Sequence, residues 1–143
     1  HDHSHFFRDP YLPRNKKDEI FPDYMERCVG KESRPCWVTE DTSGKLTGFS
    51  LLLCPAGQSE SIGRKVGIVD FIAVSPMAQG KGIGTALMAH SLRLLSQRGY
   101  ECVELKTMLD NRQAIGFYQR HGFVLVSADL HFSIGKGGVE GWL

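Results

Sequence analysis

Six residues, Gln79-Gly80-Lys81-Gly82-Ile83-Gly84, carry the strongest chemical signal in the chain. They stand between an apolar run, Val66–Val74, and a long stretch of helical apolar periodicity. Glycine adopts backbone conformations that side chains disfavour, so neighbouring N–H groups can converge on one point. A helix N-terminus adds unsatisfied N–H donors and a partial positive charge. Together these make an anion site, most naturally for a pyrophosphate. The competing reading is a glycine-rich turn with no ligand. Three alternating glycines opening a helix are each unfavourable by roughly 1 kcal/mol inside it, and a tight turn alone seldom needs all three. A P-loop requires GxxxxGK[ST], but Lys81 is followed by Gly82. The dinucleotide fingerprint GxGxxG also fails, because Gly80 leads to Thr85 and Gly82 to Leu87.

Two other places hold candidate chemistry. Asp70 is the one acid in Val66–Val74, and alternation puts it with Ile68, Ile72 and Val74 on one strand face. A carboxylate there needs a partner or a role. It can deprotonate an amine, directly or through a water, or bind a hydroxyl. A structural bond to backbone or to an arginine fits equally well. Farther on, Ala114, Phe117, Tyr118 and His121 recur at helical spacing. By spacing alone Tyr118 is a core aromatic and Asn111 a helix N-cap. Gly116 runs against helix propensity, and a close backbone approach would account for it. Lys81 and Arg112 read as solvated charges that can also reach a phosphate. His90 reads as an ordinary helix residue, His121 suits a helix C-terminus, and His131 falls on the last expected strand. No Ser/His/Asp or Cys/His constellation stands out.

The loop has the spacing Q/R-x-x-G-x-G/A. With IVDFIAVSP (68–76) before it and Asn111-x-x-Ala114-x-x-Phe117-Tyr118-x-x-x-Gly122-Phe123 after it, the chain resembles the GNAT acetyltransferase superfamily over about residues 36–134. The resemblance implies an α/β fold: a mixed, largely antiparallel sheet flanked by helices, with one parallel β-α-β crossover at the coenzyme loop. It implies acetyl-CoA as cofactor. Gln79, Gly80, Lys81, Gly82, Ile83, Gly84 and Thr85 would cradle its pyrophosphate. Phe71, Ile72, Ala73 and Val74 would line it, with a backbone N–H near Phe71 or Ile72 facing the oxyanion. Asn111, Arg112, Ala114, Phe117 and Tyr118 would lie against pantetheine. Tyr118 matches the family's general acid. A phenol near 10 can protonate a departing thiolate whose reference value is about 8.5. The implied reaction is direct attack by a primary amine in a ternary complex, with Asp70 the candidate base.

A softer likeness, in Ser4-His5-Phe6, Asp9-Pro10, Leu12-Pro13 and Ile20-Phe21-x-x-Tyr24, is to sugar-nucleotide N-acetyltransferases of the dTDP-fucosamine group. It implies an amino-sugar nucleotide acceptor, bound partly by Arg8, Asp9, Tyr11 and Tyr24. Those enzymes carry an extra N-terminal region and a first strand for which this chain has no room. The chain is then a fragment, a minimal relative or one completed by a partner. Two alternatives remain: transfer to a protein amine or small polyamine, and a non-catalytic acyl-CoA-binding module.

The elements that must position these residues follow from periodicity. Asp18–Val29 reads as a helix with Pro22 in its first turn, stopped by Gly30. Cys36–Thr39 and Leu46–Cys54 read as a hairpin about Thr42–Lys45, and Val66–Val74 as a strand buried on both faces. Gly80–Arg98 reads as a helix packed on a sheet, with Thr85, Ala89, Arg93 and Ser96 outward and Gly99 as its stop. Cys102–Leu109 reads as a strand parallel to Val66–Val74. Residues 112–121 read as a short helix with Gly122 at C′ and Phe123 at C″. Phe123–Ile134 reads as a last strand or strand pair, and residues 135–143 as a loose tail.

The chain has 143 residues, 41% hydrophobic and 23% charged, which fits a single domain over 1–143 with an ordinary core. Seventeen basic against sixteen acidic residues give no hint of a basic face for nucleic acid, and none is expected as a partner. No run approaches the ~20 apolar residues of a membrane span. Cysteines 28, 36, 54 and 102 include no CxxC pair; two disulfides can be drawn from them, and the preferred reading is four reduced thiols of a cytoplasmic protein. No metal site is expected; His1, His3 and His5 alternate at a terminus, a weak arrangement for a ligand set. The expected partner is a small-molecule amine, with a homodimer left open.

Overall fold

The computed structural model describes residues 13–60, 63–130 and 132, without the side chains of residues 14–18 and 21. Contacts divide the chain into two compact units, one spanning Glu26–Lys106 and the other the segments on either side.

Helix α1 spans Arg14–Cys28. It begins four residues before the expected start, so Pro22 lies inside it rather than in its first turn. Proline has no N–H, so one rung of the ladder is missing at that point. Gly30, at φ +83°, follows the helix end.

Strands β1 (Cys36–Glu40), β2 (Leu46–Leu53), β3 (Val66–Val74) and β4 (Cys102–Glu104) form one sheet in that order. The β1–β2 and β2–β3 pairs are antiparallel and the β3–β4 pair is parallel. This is the expected mixed sheet, with its parallel crossover running through helix α2 (Ile83–Gln97). Asp41 shapes the β1–β2 turn. Its Oδ1 accepts from Ser43 N (2.8 Å), Ser43 Oγ (2.6 Å) and Lys45 N (3.0 Å). The Ser43 hydroxyl and these amides hold the Asp41 carboxyl below its ordinary value.

Strand β4 is shorter than expected. It pairs Cys102, Val103 and Glu104 with Val66, Gly67 and Ile68, and then the two strands part. The register of β3 against β2 shifts just beyond this point, from Leu52↔Val69 to Leu51↔Phe71, leaving Asp70 as an extra residue. Such a bulge bends its strand. The alternation through Leu105 and Thr107 therefore has no β3 neighbour to extend. The last expected strand is also absent among the described residues. Phe123–Leu130 and Phe132 adopt no regular element, and Val124, Leu125, Val126, Leu130 and Phe132 are exposed. Strand propensity needs a partner to be expressed.

Helix α2 begins at Ile83, so Gly80–Gly82 belong to the loop. Its outward face is the expected one, with Thr85, Ala89, Arg93 and Ser96 exposed. It ends in a Schellman arrangement. Gly99 has φ +77°, Tyr100 N donates to Leu95 O and Gly99 N to Ser96 O, both at 3.0 Å. Gly67 lets α2 approach β3 closely: a Cβ there would stand 2.5 Å from Leu95 Cδ2. Leu87, Met88 and Leu95 of α2 and Leu51, Leu52 and Val69 of the sheet form most of the core.

One polar pair crosses that core. Ser50 Oγ and Ser91 Oγ are 2.9 Å apart, and both residues are fully buried. The Ser91 hydroxyl donates to Leu87 O at 2.8 Å, so its only hydrogen is used there and Ser50 must be the donor between the two serines. Ser91→Ala would remove the acceptor Ser50 needs, whereas Ser50→Ala would leave Ser91 satisfied. Denaturant titration should find Ser91→Ala destabilising by about 1–3 kcal/mol and Ser50→Ala by clearly less. Equal losses would refute the donor assignment.

Candidate functional site

The glycine loop sits between the end of β3 and the start of α2. A 3-10 turn, Pro76–Ala78, leads into it, and Ser75 N donates to Thr47 O at 2.8 Å. Gln79 Nε2 reaches back to Val74 O at 3.3 Å, tying the loop to the strand it leaves. Gly80 and Gly82 have φ +75° and +79°, values L side chains rarely adopt. Gly82 is the N-cap of α2 and brings no side-chain cap, and no acid stands in the first turn. The first intrahelical bond is Ala86 N to Gly82 O at 2.9 Å. Helix geometry thus leaves the N–H groups of Ile83, Gly84 and Thr85 without intrahelical acceptors. A Cβ at Gly80 or Gly82 would meet nothing within 4 Å, so the loop's outer side is open. These residues fit a pyrophosphate. Lys81 is exposed, and the field of its ammonium reaches the Asp41 carboxylate of the β1–β2 turn.

The strand leading to this loop carries Asp70 at its bulge. The expected shared face of Ile68, Asp70, Ile72 and Val74 is broken there. Ile68 pairs with Leu53 and Ile72 with Ser50, which lie on opposite faces of β2. Arg34 Nη1 donates to Asp70 Oδ2 at 2.8 Å, both side chains being about a quarter exposed. The arginine alternative is therefore what the structure contains. Arg34 carried no local sequence signal; the pair spans 36 residues. Its loop is itself held, by Leu52 N to Pro35 O at 2.9 Å and Cys54 N to Ser33 O at 2.8 Å. Past Ile68 and Glu104, the edge of β3 holding Phe71, Ile72, Ala73 and Val74 is no longer paired to β4.

The second unit contains helix α3 (Arg112–Arg120). Asn111 caps it, Oδ1 accepting from Ala114 N at 3.2 Å. A bond from Asn111 to pantetheine could still use both Nδ2 hydrogens or the second lone pair of Oδ1. Ala114, Phe117 and Tyr118 are half-buried, and Arg112 is exposed. The C-terminus forms the anticipated Schellman motif. Gly122 has φ +87°, Phe123 N donates to Tyr118 O and Gly122 N to Gln119 O, each at 3.1 Å. The Phe123 ring lies 6.1 Å from the Tyr118 ring, and Phe117 flanks it at 5.6 Å. These contacts fix the phenol's orientation, and burial pushes its pKa above the ordinary value. His121 Nδ1 donates to Phe117 O at 2.8 Å. A Cβ at Gly116 would meet only Arg120 Nη1, at 3.4 Å, so among the described residues no close backbone approach explains that glycine.

Of the expected acceptor residues, Tyr24 is half-buried on α1. Arg8, Asp9, Tyr11, His131 and the His1, His3, His5 set lie outside the described residues. The four cysteines are free thiols. Among the described residues no helix is long and apolar enough to cross a membrane.

A strand, a positive-φ glycine loop and an uncapped helix, in a mixed sheet whose parallel pair parts before a bulge, are the features the acetyltransferase resemblance implies. The chain belongs to the GNAT acetyltransferase family, whose model matches residues 2–123. It is 39% identical over 101 residues to a mycothiol acetyltransferase of Saccharomonospora viridis, covering 70% of this chain and 33% of that protein. It is 35% identical over 116 residues to an uncharacterised N-acetyltransferase of Methanocaldococcus jannaschii, covering 80% of this chain and 49% of that one. Among solved structures, a putative acetyl transferase from Pyrococcus furiosus superposes with TM-score 0.74 at 19% identity, covering 90% of this chain and 85% of that one. The chain spans about a third of the length of the mycothiol acetyltransferases it matches.

Proposed function

We propose that this chain, acting as one acetyltransferase domain, moves the acetyl group of acetyl-CoA to a primary amine of a small molecule. The observation that carries the reading is the Gln79–Gly84 loop, with two left-handed glycines opening an uncapped helix. Acetyl-CoA supplies an acyl group activated as a thioester. Residues Gln79–Thr85 would hold its pyrophosphate through backbone N–H groups. The β3 edge at Phe71–Val74 would take pantetheine, and the N–H of Phe71 or Ile72 would face developing charge on the carbonyl oxygen. Tyr118 would give its phenolic proton to the departing sulfur. Asp70 is the candidate acceptor of the amine's proton, although its Arg34 partner favours an anchoring role.

Several matched relatives are named for mycothiol, which supports a small-molecule acceptor. The sugar-nucleotide acceptor rests on the N-terminal likeness alone.

Thermal unfolding with and without acetyl-CoA tests the central observation. Ligand at about 100 times its Kd adds ~2.7 kcal/mol of stability. The midpoint should rise by several degrees in a domain of this size. A cooperative melt that ignores saturating acetyl-CoA would overturn the anion-site reading.

A further inference from the structure

The sheet face turned away from α2 carries a cavity of about 400 Å³, lined by Pro55, Gln58, Ser59, Val66, Ile68 and Glu104 among others. That volume falls within the range of small-molecule sites. Two bonds tie the segment that borders it. Tyr100 Oη donates to Pro55 O at 2.8 Å, and Ser59 N donates to Arg64 O at 2.8 Å. Pro55, Val66 and Ile68 make it partly apolar, Gln58 and Ser59 offer neutral polar groups, and Glu104 is the one charged lining residue among the described residues. Lys65, beside this face in sequence, is committed elsewhere: its Nζ donates to Arg98 O at 2.9 Å and lies over the Tyr100 ring.

The cavity's position gives it a meaning. Glu104 pairs with Ile68 at the last rung before β3 and β4 part. Phe71, where the proposed thioester edge begins, is two β2 positions farther along, because Ile68 faces Leu53 and Phe71 faces Leu51. Strand spacing puts the Glu104 backbone roughly 8 Å from that of Phe71. A group held by Glu104 and an amine at the β3 edge are therefore separated by about the length of one short molecule. We propose that this cavity is the subsite for the acceptor's second group, and that Glu104 selects acceptors carrying a second amine. This rests on the transferase reading and narrows its substrate class to short diamines and diamino compounds. A phosphate-bearing acceptor would meet an unfavourable carboxylate there.

The test pairs putrescine with n-butylamine, which has the same chain and only one amine. With saturating acetyl-CoA, kcat/KM should favour putrescine about tenfold or more, the effect of one charge-assisted contact. Glu104→Gln should erase that preference through KM, leaving kcat and the butylamine reaction within about twofold, and Glu104→Asp should restore part of it. Calorimetric binding of putrescine, independent of turnover, should weaken about tenfold in Glu104→Gln. Equal use of both amines, or a preference that survives Glu104→Gln, overturns the proposal. Glu104-dependent binding with no acetylation of any amine would overturn the transferase reading and support the subsite.

Discussion

Replacing Tyr118 by phenylalanine should lower kcat by about 10²–10⁴-fold while leaving acetyl-CoA affinity within about threefold, the usual range for losing a general acid. The substitution isolates the proton. The ring keeps its place between Phe117 and Phe123, and the Gly122 Schellman cap involves only backbone. The sign of the pH dependence follows from the site. An acid must be protonated to act, and burial raises the Tyr118 pKa above its ordinary value. Wild-type activity should therefore not fall with rising pH through the neutral range on this group's account. Its alkaline limb should lie above the ordinary tyrosine range and be absent from the residual rate of Tyr118→Phe. Steady-state kinetics across pH, with coenzyme affinity by calorimetry, checks both. A variant turning over at near the wild-type rate would return Tyr118 to a packing aromatic. A loss confined to coenzyme affinity would make it a binding residue.

What the residues could announce depended on how local the determinant was. Gly99 and Gly122 were legible as helix stops because a Schellman motif needs only a left-handed residue and a few backbone bonds. Asn111 was legible as a cap for the same reason. The glycine loop was legible because its glycines and its helix are contiguous. Asp70 was misplaced because alternation assumes an unbroken strand, and the bulge is set by how β2 and β3 pair. Arg34 was invisible because nothing nearby requires it; its partner lies 36 residues away. The pattern in Cys102–Leu109 was that of a strand, yet only Cys102–Glu104 found a neighbour. Ser91 falls on the inward side of a helix otherwise read through its apolar residues, and its buried bonds to Ser50 and Leu87 exist only in the packed state.

Substituting Gly82 by valine should raise the Kd for acetyl-CoA by about 100-fold or more, well beyond its effect on stability. At φ +79° a β-branched residue is strained by roughly 1–2 kcal/mol, which should lower the melting midpoint by several degrees. Overlap of the Cβ itself adds nothing, since a Cβ there meets no atom within 4 Å. That open space is where the proposed pyrophosphate would sit, so the side chain competes with the ligand itself. Relief of the strain would rotate the N-cap and turn the first amides of α2 away from their common point. Each charge-assisted bond lost is worth about 1.5–3 kcal/mol, and losing two accounts for the 100-fold. Gly99→Val is the matched control. Gly99 has φ +77°, also has open space about it, and lies at the other end of the same helix. It should destabilise the fold comparably and leave acetyl-CoA affinity unchanged. If the two variants bind acetyl-CoA equally well, the glycines serve the turn alone and the loop is not where the coenzyme's charge is held.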